Sequence, residues 1–179
     1  MANGFVTSSP TSQYGTSSSY SLGNNDAGAQ KYTAPAGTLN ITEIGSYLNP
    51  NNVTGNVRFS VWTHDAVNDC PLAMVVETAS IPYSGVTVTK YYGAVSAQIT
   101  GGDTYWIAVE NDAGTIYEDA KAGSGLMLWW VQTGITFPTW PTNAQWHPGG
   151  GSYTTIDMGY YAVYNTASVT ETVTSFFVV

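Results

Sequence analysis

The sequence predicts an all-β fold, an antiparallel β-sandwich or jelly roll carrying an extended, low-complexity N-terminal arm. Three observations lead there. Apolar and polar residues alternate over many short runs, and Gly, Asn, Asp and Pro clusters break those runs at short intervals. Ala, Leu, Glu and Lys nowhere gather at the 3.6-residue spacing of an amphipathic helix. Strands with no helices between them read as sheet packed on sheet, and the lack of a fixed internal period argues against a propeller or solenoid.

Residues 1–29 form the expected arm. Ser8-Ser9-Pro10-Thr11-Ser12 and Thr16-Ser17-Ser18-Ser19 cannot bury enough apolar area to offset the entropy of ordering. Yet Phe5, Val6, Tyr14, Tyr20 and Leu22 are spaced through the arm as anchors, which a plain linker does not need. The expectation is an arm that orders against a neighbouring subunit or partner, the alternative being a floppy terminus. Residues 30–179 are then one β-sandwich domain, about the size at which a single core suffices.

Within that domain, Val57, Phe59 and Val61 share one face of a strand while Arg58, Ser60 and Trp62 share the other. Tyr105, Ile107 and Val109 likewise share a face, with turn chemistry in Gly101-Gly102 before them and Asn111-Asp112-Ala113-Gly114 after them. Further strands are expected near 38–47, 72–80, 85–99, 115–118, 125–132, 159–165 and 168–178.

Composition excludes several roles. Charged residues are 9% of the chain against about 25% in an average soluble protein. Lys31, Arg58, Lys90 and Lys121 are the only Lys or Arg beside 12 carboxylates, a formal charge of −8. Nucleic acid and anionic membranes both demand clustered cations, so neither is an expected direct partner. Cys70 is the single cysteine, so no internal disulfide forms, and Met1-Ala2-Asn3-Gly4-Phe5 lacks the basic and apolar regions of a secretory leader.

The segment from Leu126 to Tyr164 is dense in rings: Trp129, Trp130, Trp140, Trp146, Tyr153, Tyr160, Tyr161 and Tyr164. Exposed, such rings would stack on the apolar face of a sugar; otherwise they fill the core or a subunit interface. Asp65, Asn68 and Asp69 in one turn, and Glu110, Asn111 and Asp112 in another, offer oxygens to calcium, though Asx turns explain both clusters. Glu118, Asp119 and Asp157 could be paired for catalysis only by assuming the fold, and His64 and His147 lack metal-helix spacing. No catalytic residue, metal or cofactor is therefore expected, and the chain is read as a non-enzyme.

The block running from Gln30-Lys31-Tyr32-Thr33-Ala34-Pro35-Ala36-Gly37 through Ile41-Thr42-Glu43-Ile44-Gly45 and Val57-Arg58-Phe59-Ser60-Val61-Trp62-Thr63 to Gly101-Gly102-Asp103-Thr104-Tyr105-Trp106-Ile107-Ala108-Val109 resembles a jelly-roll module of phage structural proteins and large extracellular proteins. With its polar arm, the chain is similar to capsid decoration and head-fibre proteins of tailed phages. The resemblance implies a virion structural protein, exposed after lysis on the particle surface. Its arm would attach it to the major capsid protein or to neighbouring subunits of a homo-oligomer, for which a trimer is assumed. On that expectation, a protein starting at Gln30 folds but does not attach. The alternatives are a carbohydrate-binding module or adhesin using residues 126–164, and a subunit of an extracellular filament or surface layer.

Overall fold

A computed structural model describes residues 3–15, 17–122, 128–131, 135–146, 151–153 and 156–166. In chain order the elements are β1 (Gly4–Val6), β2 (Ser17–Leu22), β3 (Asp26–Thr33), β4 (Thr38–Asn49), β5 (Gly55–Asp65), β6 (Cys70–Glu77) and β7 (Ile81–Tyr83). There follow β8 (Thr89–Thr100), β9 (Thr104–Asn111), β10 (Ile116–Ala122), β11 (Leu128–Val131), α1 (Asn143–Trp146), β12 (Gly151–Tyr153), β13 (Ile156–Met158) and β14 (Tyr161–Thr166). α1 is a single turn, entered through a capping box in which the Gln145 side chain accepts the Thr142 N–H.

The strands form two sheets of seven, the all-β sandwich that period-two patterning predicts. In sheet A, β4 is central: β8 runs along one edge, and β14 and β10 share the other end to end. β1 lies parallel along β14, while β2 and β13 flank β10. Sheet B has the order β12-β11-β3-β9-β5, with β6 and β7 end to end along β5.

Alternation decides what each face buries. Val57, Phe59 and Val61 of β5 and Tyr105, Ile107 and Val109 of β9 meet Leu39, Ile41, Ile44 and Leu48 of β4 between the sheets. The opposite face of sheet B is buried as well. Ala27, Ala29, Trp62, Trp106 and Ala108 lie under Ile135, Trp140 and Trp146, with Trp62 edge-on to both of the last two rings at 6.1 Å. Residues 135–146 therefore act as a strap over sheet B.

A second strap covers the outer face of sheet A, and it comes from the N-terminal segment. Val6 packs on Tyr161 and Val163. The Ser9 hydroxyl donates to Glu43 at 2.6 Å, the Tyr47 hydroxyl donates to the Pro10 carbonyl, and the Tyr14 and Gly15 amides donate to Asp119. The segment is extended and low in complexity as expected, but the surface it orders against is its own body. The expected boundary at 29/30 also falls inside β3, which pairs with β9 over its whole length and with β11.

The physical reason lies in β3 itself, whose Ala-Gly-Ala core lacks strand propensity but fits a crowded place. A Cβ at Gly28 would stand 3.1 Å from the Tyr160 hydroxyl, and Ala27 and Ala29 leave room for the indoles above them. At Gly4, with φ of 70°, a Cβ would meet the Tyr32 ring at 2.7 Å, so only glycine lets β1 approach. The expected strand over 168–178 lies outside the described residues.

A protein starting at Gln30 loses β1, β2 and the first four residues of β3. It is expected not to fold. Far- and near-ultraviolet circular dichroism with urea titration checks this; a cooperative transition like that of the full chain would contradict the assignment of residues 3–29 to the sandwich.

Candidate functional site

Three polar clusters stand out, and each must be asked whether it faces a ligand or holds the fold. The first is on the outer face of sheet B. Cross-strand register places Arg58 of β5 opposite Glu110 of β9. The guanidinium donates to Glu110 at 2.9 Å, to Glu77 at 2.8 Å and to the Pro138 carbonyl, and it lies 5.2 and 5.3 Å from the centroids of Phe137 and Trp140. Trp140 adds an indole bond to Glu77 at 2.6 Å. Burial pushes the Glu110 carboxyl up, and the Arg58 bond and charge oppose that shift. Arg58 thus clasps the strap to the sheet.

The second cluster closes one end of the sandwich. Asp157 of β13 accepts from Asn3, from the Tyr14 hydroxyl and from Gln30. The Tyr32 hydroxyl, within reach of Gln30 and the Met158 carbonyl, joins sheet B to sheet A there. Glu118 faces the core, where the Tyr160 hydroxyl donates to it; burial pushes its pKa up to about 7. Asp119, one residue on, faces the other way and is capped by the N-terminal strap, and burial raises it too. Glu118, Asp119 and Asp157 do not face one another across an open cleft, so the arrangement is that of buried acceptors supplied with donors.

The third cluster borders open surface. Where the 135–146 strap ends, the outer face of sheet B carries two adjoining depressions of about 360 and 220 Å³ that share His64 and Thr104. Lys31 lies beside them, paired with Asp69 at 2.6 Å and 5.7 Å from the Trp106 centroid. The Trp106 indole N–H donates to His64 Nδ1 at 3.2 Å, which makes Nδ1 the acceptor and leaves the proton on Nε2, 3.7 Å from Asp69.

The sequence-predicted residues fall into place around these clusters. Phe5 packs edge-on against Tyr105 at 6.0 Å, Val6 is buried on sheet A, Tyr14 bridges Asp119 and Asp157, and Leu22 is in the central core. All four anchor the N-terminal segment to its own chain. Of the aromatic candidates, Trp140, Trp146 and Tyr160 are 8%, 0% and 0% exposed, so of the placements the sequence left open for these three rings they take the interior one. Tyr161 is buried beside Val6. Trp129, Trp130 and Tyr153 are placed by backbone pairing in β11 and β12, and Tyr20 by pairing of β2 with β10; their side chains lie outside the described residues.

Neither Asx cluster gathers its oxygens. Asp65 caps its own turn, accepting from the Val67 and Asn68 amides and the Asn68 side chain, and these bonds pull it down to about 2. Glu110, Asn111 and Asp112 turn to separate partners: Arg58; the Leu22, Gly23, Ala113 and Gly114 carbonyls; and Asn56. Among the described residues no three His, Cys, Asp or Glu side chains could hold a metal ion. Cys70 is buried with its thiol pKa raised by that burial. The roles of Asn3, Gln30 and Arg58 escaped sequence reasoning. Only Arg58 had a signal, as one of four cations set within an apolar strand.

Arg58→Ala leaves Glu110 buried without its cation and is expected to cost about 3–5 kcal/mol in urea unfolding, with Glu110→Gln in the same chain recovering part of the loss. For Glu118, the folded pKa of about 7 lies above the ordinary 4.5 of a glutamate, so the folded state binds the proton more tightly. Its contribution is therefore most favourable below pH 4.5, and it declines as pH rises to about 7, by about 3 kcal/mol in all. Urea unfolding across that window is expected to show a flatter profile for Glu118→Gln than for the parent; parallel profiles would contradict the assignment.

A scan against protein-family models finds no match to this chain, and a search of curated proteins finds no significant relative.

Proposed function

We propose that this chain is a structural subunit of a protein assembly, of the virion-decorating class that its central block resembles. One observation carries the reading. Straps of the same chain lie over both outer faces of the sandwich, and the groups best suited to chemistry, Glu110, Glu118, Asp119, Asp157 and His64, make internal bonds. Such a body acts by presenting a fixed shape, and its free contact surfaces are the sheet edges and the loops between them.

The manner of attachment differs from the one the sequence suggests. With Val6, Tyr14 and Leu22 holding the N-terminal segment to the body, the whole sandwich rather than a trailing arm makes the contact with a capsid protein or with neighbouring subunits. Burial of Trp140, Trp146 and Tyr160 removes three of the rings on which a glycan platform would rest.

The test is quantitative mass spectrometry, with antibody labelling in electron micrographs, of particles purified after lysis of the source cells. The proposal expects the protein on the particle surface at a fixed ratio to the major capsid protein. Its recovery only in the soluble fraction would overturn the virion assignment.

A further inference from the structure

We propose that two copies of this chain pair edge to edge through β8, joining their A sheets into one continuous sheet across a two-fold axis. The inference deepens the assembly reading and rests on it. β8 has twelve residues and bonds to β4 along one side; among the described residues no strand bonds to its other side. An edge of this kind presents a row of backbone donors and acceptors, for which the complementary partner is another extended strand.

Two features identify that strand as the β8 of a second copy. The first is charge. From Val86 to Gly102 there is no Asp or Glu in a chain of net charge −8, and Lys90 is the only charged side chain. Copies that repel elsewhere can approach there at the least electrostatic cost. The second is self-complementarity. Opposite Ile41 to Glu43 of β4, β8 carries one extra residue between Ala94 and Ala97, so a bulge divides it into two regular stretches, Thr89–Ala94 and the shorter Ala97–Thr100, and the longer one is the edge that can pair. A continuous sheet requires that outward side chains meet outward side chains, and a one-residue slip would break this. In an antiparallel dimer of that stretch, the allowed central registers set Tyr92 opposite Tyr92 or Lys90 opposite Tyr92. Tyr92 is 49% exposed, and the Lys90 ammonium lies 4.5 Å from its centroid within one chain. Either register covers that ring across the axis.

The full-length protein tests this by size-exclusion chromatography with light scattering over a concentration series, with hydrogen exchange read by mass spectrometry. Expected are a species of twice 19.1 kDa and slowing of amide exchange in residues 89–94 as concentration rises. Tyr92→Lys and Ala94→Lys, each placing like charges near each other across the axis, are expected to weaken dimerisation by about tenfold or more while leaving the circular dichroism spectrum unchanged. A monomer at every concentration overturns the inference. So does an oligomer that both variants leave intact with β8 exchange independent of concentration; that result places the contact elsewhere and leaves the structural-subunit reading standing, whereas recovery away from particles removes the virion reading whatever the outcome here.

Discussion

A carboxylate taken out of water must be supplied with hydrogen-bond donors, and much of this structure follows from where those donors come. Glu110 takes one from Arg58 on Oε2, with Oε1 left without a partner among the described residues, and Arg58 in turn draws the 135–146 segment down through Pro138, Phe137 and Trp140. Asp119 and Asp157 take them from Tyr14, Gly15 and Asn3, and so fasten the N-terminal segment across the other sheet. Without these partners each acid would face a desolvation cost of several kcal/mol. The straps are therefore part of the electrostatics of the sandwich as well as its cover.

The two straps hold by different means. The one over sheet B is an apolar contact, Trp140 and Trp146 set edge-on to Trp62 above Trp106, Ala27, Ala29 and Ala108, with the Trp146 Nε1 left without a partner among the described residues. The one over sheet A is mostly polar: between Thr7 and Gly15 it is half-buried or exposed, and it is attached by discrete hydrogen bonds. Local opening draws on regions with few buried apolar contacts, so residues 7–15 open at a smaller free-energy cost than the indole strap.

Much of the fold was legible in the sequence. β4, β5, β8 and β9 announce themselves by alternation, and the inward sets Val57, Phe59, Val61 and Tyr105, Ile107, Val109 are the ones that meet in the core. Turn chemistry likewise marked the Asp65 and Asn111 loops as backbone caps as well as possible ligands. The candidate sites were less legible. A period of two states that Trp62 and Arg58 share a face but not whether that face meets water, and it was the strap, more than seventy residues later in the chain, that buried both.

Alternation, composition and charge by themselves determined an all-β sandwich, the direction of its inner faces and a net charge of −8, because these depend on neighbours along the chain and on totals. Tertiary structure alone decided that the Ser- and Gly-rich beginning supplies three strands, that β3 runs between β9 and β11, and that Trp140, Trp146 and Tyr160 are interior. Small polar residues carry almost no propensity of their own. Gly28 and the alanines beside it suit the narrow space between Tyr160 and the indoles, and that space exists only once distant segments have packed around it.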